Sequence, residues 1–164
     1  MKKIICLLIA LLLFSIGLTS CGLTMPRPEV KEGEFDVSVT YEVNGEVKTL
    51  DLVYVCKYDG IGWTLEGTYY RDWNGHFEGY GDGDPIEVYN ADDGSKVVLS
   101  FIIYAEYFMG EPDFVDFYPE AKTERIYFED GIEMMDYDEE LIAKDFGVRI
   151  ISINYDEPIK NTFD

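Results

Sequence analysis

From Phe35 the chain alternates strictly. Phe35, Val37, Val39, Tyr41 and Val43 fall on one face, and Asp36, Ser38, Thr40 and Glu42 fall on the other. A period of two marks a half-buried β-strand. Asn44-Gly45 follows, a dipeptide suited to the two positive φ values of a type I′ turn. A two-residue loop there sets 43 opposite 46, 39 opposite 50, 37 opposite 52 and 35 opposite 54. Opposed residues share a face, so Val39–Leu50, Val37–Leu52 and Phe35–Tyr54 all fall on the apolar side. Turn chemistry and hydrophobic pattern therefore select the same register.

Asp59-Gly60 and Asn74-Gly75 carry the same kind of signal. Read as turns, they pair Cys56 with Trp63, Tyr54 with Leu65, Trp73 with His76 and Arg71 with Glu78. The expectation is a four-stranded meander over 34–43, 46–58, 61–73 and 76–80. Residues 79–85 read as a loop, 86–89 as a short strand and 90–95 as a further turn. Val97 to Phe108 is apolar almost throughout and is read as a strand covered on both faces, a pattern that a buried helix also satisfies. Gly110-Glu111-Pro112-Asp113 breaks the run, and short strands are expected over 114–118 and 125–128. One helix is expected over 136–146, with Asp138, Glu139 and Glu140 in its first turn and Gly147 just past its end. Val148 to Tyr155 closes the pattern as a strand. Seven or eight strands and one short helix predict an all-β fold, a β-sandwich or a curled antiparallel sheet.

The first 21 residues follow other rules. Met1-Lys2-Lys3 precedes an apolar run from Ile4 to Phe14, then Leu18-Thr19-Ser20-Cys21. The run has signal-peptide length and is short of the roughly 20 apolar residues of a spanning helix. Leu18-Thr19-Ser20-Cys21 resembles the lipobox of bacterial lipoproteins. That resemblance covers this segment alone. It implies removal of residues 1–20, lipid on Cys21 and a location outside the cytoplasm on a cell membrane or outer membrane. Gly22 follows the cysteine where an inner-membrane retention aspartate would stand. Residues 21–33, with two prolines in Gly22 to Gly33, read as the lipidated cysteine and a flexible tether. Residues 34–164 read as one β-rich domain.

The formal net charge of −20 becomes −22 without residues 1–20, as Lys2 and Lys3 depart and 33 acidic face 11 basic residues. Such a balance disfavours nucleic-acid phosphate, whose binding relies on clustered Lys and Arg. It likewise opposes docking on anionic lipid through side chains. A mature chain of about 140 residues can bury a proper core. Cys6 leaves with the leader and Cys21 takes lipid, so Cys56 alone remains and no internal disulfide forms.

Few residues suggest chemistry. Cys56 falls on the core face with no histidine near it in sequence, the setting of an inert buried thiol. His76 is the only histidine. Trp73, His76, Arg71 and Glu78 form a candidate ligand-binding patch at the end of a hairpin, or an ordinary set of cross-strand pairs. Asp82, Asp84, Asp92 and Asp93 lie in two glycine-containing loops. They are candidate calcium ligands, or simply turn residues, since neither loop fits an EF-hand. No phosphate cradle, nucleophile elbow or metalloprotease helix motif occurs. The expectation is a lipid-anchored, non-catalytic domain that binds or scaffolds an extracytoplasmic ligand such as carbohydrate. The alternatives are a carboxylate-dependent hydrolase of surface polysaccharide and a domain that binds or inhibits an exported protein.

Overall fold

The computed structural model describes residues 25–81, 84–129 and 132–163. The leader, Cys6, Cys21 and Asp82 lie outside them. The fold is mostly β, with eight strands in two four-stranded antiparallel sheets. The first sheet contains β1 (Glu32–Val43), β2 (Glu46–Trp63), β3 (Tyr69–Phe77) and β8 (Val148–Tyr155), in the order β3-β2-β1-β8. The second contains β4 (Ile86–Asn90), β5 (Lys96–Ile102), β6 (Glu120–Glu129) and β7 (Ile132–Asp136), in chain order. Between β5 and β6 lie one turn of helix, α1 (Ala105–Phe108), and a 3-10 turn (Pro112–Phe114); α2 (Glu139–Phe146) precedes β8.

The first hairpin has the expected register, with Val39 opposite Leu50, Val37 opposite Leu52 and Phe35 opposite Tyr54. Asn44 and Gly45 both take positive φ, 51° and 86°. The helix ends where expected, but it begins at Glu139 rather than Asp136: Asp136 closes β7, and Asp138 is the N-cap rather than a first-turn residue. The Asp138 carboxylate accepts from the Leu141 amide at 3.0 Å, and Gly147 closes the helix at φ 62°.

The other two Asx-Gly dipeptides are not turns. At Asp59-Gly60 the strand continues through a bulge, with Gly60 at φ 125°, and β2 runs on to Trp63. A bulge supplies the same positive-φ position that a turn would, so the dipeptide alone does not separate the two. The chain reverses later, where the Thr64 amide donates to the Thr68 carbonyl at 2.8 Å and Gly67 takes φ 86°. Asn74-Gly75 lies within β3, opposite Lys57 and Cys56. Gly75 is needed there for space: a Cβ would stand 2.0 Å from the Tyr54 hydroxyl. Tyr54 therefore pairs with Phe77 rather than Leu65, and Cys56 with Gly75 rather than Trp63. The expected strand 76–80 is absent as a separate strand, and the fourth place in the sheet belongs to β8.

Two apolar clusters hold the layers together. Val39, Tyr41, Val43 and Val148 of the first sheet meet Val97 and Leu99 of the second, with Ile142 of α2 among them. The other cluster joins Phe35, Val37, Leu52, Tyr54, Cys56, Trp73 and Phe77 to Ala105, Tyr107, Phe108 and Met109. The apolar run expected as one strand thus divides into β5 and α1. Helix α1 drives Phe108 against Phe35, ring centroids 4.6 Å apart. Of the segment expected as tether, the part from Pro28 to Lys31 lies along the domain. Glu29 N–H donates to the Thr162 carbonyl at 2.9 Å, and the Lys31 carbonyl accepts from the Tyr58 amide at 2.8 Å. Asn161 exchanges two hydrogen bonds with the Val30 backbone, at 3.0 and 2.8 Å.

Candidate functional site

The expected patch does not assemble. Along β3, Arg71, Trp73, Gly75 and Phe77 share the inner face, while His76 points outward with Asp72 and Asn74. Trp73 is core, 5% exposed, and lies opposite Tyr58 with ring centroids 5.3 Å apart. Glu78 lies just past β3 on the exposed side and is not the partner of Arg71.

Arg71 instead meets Glu111, forty residues on. Its Nε donates to Oε1 at 2.5 Å and its Nη2 to Oε2 at 2.6 Å, with both side chains about nine-tenths covered. Trp73 Nε1 donates to the same Oε1 at 2.9 Å. The bidentate fork is the strongest arrangement open to this pair. Its hydrogen bonds raise the Arg71 pKa further above its ordinary value. Sequence reading missed Glu111, whose only signal is a lone charge directly after an apolar run.

Cys56 is fully buried, and burial first, with Glu106 second, pushes its thiol up to about 12. Such a thiol is no nucleophile at neutral pH. Glu106 is itself raised, chiefly by burial and then by the charges of Glu111 and Asp72. Asp84 accepts from the Gly81 amide at 3.1 Å and closes its own turn. Asp93 accepts from the amide and hydroxyl of Ser95 and pairs with Arg125 at 3.1 Å; the Ser95 bonds come first among the causes that lower its pKa. Asp92 is exposed. Among the described residues no three His, Cys, Asp or Glu side chains gather as a metal-binding group.

His76 and Asp84 both border a cavity of about 100 Å³ that Tyr54, Phe77, Phe101 and Ile103 also line. Ligand pockets run from about 300 Å³ upward. This one accepts a methyl or hydroxymethyl group, not a whole ring. A second, open recess of about 310 Å³ lies between Arg27 and Tyr58, Asp59, Gly60 and Ile61. Among the described residues neither recess is lined by two carboxylates.

The larger feature is an aromatic ledge between β5 and β6. The residues that fix it face inward: Ala105, Tyr107, Phe108 and Met109 are core, and Gly110 turns at φ 72°, too close to the Ile159 carbonyl for a side chain. Outside this base, the rings of Tyr104, Phe114 and Phe117 lie 5.1–5.8 Å apart, and Tyr118 leans on Tyr107 at 5.8 Å. Phe117 is 48% and Tyr118 58% exposed. Asp113 and Asp116 stand among them, both exposed. Aromatic faces with carboxylates alongside offer apolar contact and hydrogen-bond acceptance together. The expected strand over 114–118 does not form, because Pro112 opens a 3-10 turn and Phe117 N–H bonds back to the Phe114 carbonyl at 3.0 Å.

No family model, no curated protein and no solved structure matches this chain.

Removing the Glu111 carboxylate leaves the Arg71 charge covered and unpaired. Glu111→Ala should lower the unfolding free energy by about 3 kcal/mol or more, read as a fall in the urea midpoint. A loss below about 1 kcal/mol would mean the pair behaves as a surface salt bridge.

Proposed function

We propose that the chain is an exported lipoprotein, cut before Cys21, anchored by lipid on that cysteine and facing outside the cytoplasm. Its β-domain binds an extracytoplasmic ligand without catalysis. The observation that carries the binding reading is the ledge, with Tyr104, Phe114, Phe117 and Tyr118 exposed or half-buried on a base of core residues. Carbohydrate suits it best. A sugar ring has an apolar face for an aromatic ring and hydroxyl donors for Asp113 and Asp116. The cavity beside His76 and Asp84 has room for one substituent of such a ligand. Binding of this kind needs no cofactor, and the net charge disfavours nucleic acid.

A protein partner is the second reading. β7 is an edge strand exposed along both faces, with Ile132, Met134 and Met135 open, and Phe128 and Tyr137 flank it. An uncovered apolar edge is the feature that strand addition uses. The hydrolase alternative has less support, because Glu111 spends both oxygens on Arg71 and Trp73.

Two experiments test the proposal. Cys21→Ala should abolish labelling by radioactive fatty acid and move the protein from the detergent-soluble membrane fraction into the aqueous one; unchanged fractionation would contradict anchoring. For the ligand, the mature protein is screened by thermal unfolding against cell-wall and host-type oligosaccharides. An oligosaccharide at 100 times its Kd adds about 2.7 kcal/mol and raises Tm by a few degrees. Phe117→Ala and Tyr118→Ala should each remove that rise, while changing the unliganded stability by about 0.5 kcal/mol or less. A rise that survives both variants would place the ligand elsewhere.

A further inference from the structure

The bulge at Asp59-Gly60 extends β2 and β3 beyond the core as a two-stranded arm. At its end Trp63 pairs with Tyr69, and Ile61 with Arg71 one step inward. These four continue the inner face that carries Trp73, yet among the described residues nothing packs over the outermost pair. Trp63 is 69% exposed, Tyr69 58% and Leu65, in the turn, 104%. Tyr70 on the opposite face lies across Gly62, where a Cβ would stand 2.4 Å from its ring. An exposed cluster of Trp, Leu and Tyr is a costly surface for a hairpin tip unless something apolar meets it.

The course of the N-terminal segment says what meets it. The chain before β1 runs outward along β2: the Lys31 carbonyl bonds to Tyr58, and Arg27 borders Asp59, Gly60 and Ile61. The Pro26 carbonyl accepts from Arg71 Nη1 at 3.2 Å, level with the Ile61–Arg71 pair. The Trp63–Tyr69 pair is two residues farther out, about 7 Å. Only four residues lie between Cys21 and Pro26, a span of at most about 18 Å over the five Cα steps. Lipid on Cys21 would therefore keep the arm's tip within reach of the bilayer.

We propose that the β2–β3 arm is a second membrane contact, with Trp63, Leu65 and Tyr69 seated in the interface of the leaflet that holds the Cys21 lipid. This rests on the lipidation of Cys21 proposed above. Trp and Tyr favour the headgroup level, where one part of the ring is apolar and the other hydrated. The formal charge of −22 without residues 1–20 makes a zwitterionic surface the fitting one.

Trp63 and Trp73 are the two tryptophans, one exposed and one buried, so fluorescence reads the arm directly. The full chain, processed and purified from membranes, is reconstituted in phosphatidylcholine vesicles brominated near the headgroup, and its intact mass is measured. The expected result is a lipid-bearing Cys21, a blue-shifted Trp63 emission quenched by the brominated lipid, and loss of that quenching in Trp63→Phe. Leu65→Asp, at a site fully exposed among the described residues, should reduce the quenching several-fold. Lipid on Cys21 with Trp63 unquenched and still open to acrylamide would overturn the arm contact and leave anchoring intact. Shielding from acrylamide without bromine quenching would also overturn it, since a protein would then cover the tip. A mass without lipid would overturn both.

Discussion

The buried fork between Arg71 and Glu111 is the constraint on which the other features depend. Two charges that are about nine-tenths covered stay together only when each satisfies the other, and here a third donor, Trp73, completes the carboxylate. The pair joins β3 to the loop after α1. That loop fixes where the ledge begins, because Pro112 and the 3-10 turn follow Glu111 directly. The same guanidinium donates to the Pro26 carbonyl and lies 3.9 Å from the centre of the Phe163 ring. One arginine therefore draws together the base of the arm, the ledge and both ends of the described chain.

This arrangement connects the two proposed surfaces. The root of the arm and the Pro26 carbonyl meet Arg71, and the ledge begins past its partner Glu111. A strand pair that outruns its core would ordinarily fray, as two strands alone are marginal in water. Here the N-terminal segment borders β2 and the Arg71 side chain covers the root of the pair. A ligand on the ledge and a bilayer under the arm would then be held in a fixed relation by the Arg71–Glu111 fork.

How far the sequence reveals this depends on whether the signals are local. The first hairpin is legible because Asn44-Gly45 and the alternation of Phe35 to Val43 specify its register independently. The helix is legible because acidic residues at its start and Gly147 past its end are local signals, although its first residue is Glu139 and not Asp136. Asp59-Gly60 and Asn74-Gly75 mislead because a bulge and a close approach require the same residues as a turn. The Tyr54 ring against Gly75 decides between them, and it belongs to another strand. The error exchanges the two tryptophans: Trp73 is core and Trp63 is the exposed one. The site is less legible still. Arg71 and Glu111 are forty residues apart with no motif linking them, and the ledge rings follow no strand or helix period.

The most direct test of this account concerns the segment from Pro26 to Lys31, because the place of the arm relative to Cys21 depends on its docking. Amide hydrogen exchange of the mature protein at neutral pH reads it. The account predicts that the Glu29, Val30 and Tyr58 amides, which bond to Thr162, Asn161 and Lys31, are protected to the level of the β2–β3 ladder. Exchange of the Glu29 and Val30 amides at the rate of an unstructured chain would contradict it, since the anchor would then join the domain through a free tether and the arm would have no fixed place beside the membrane.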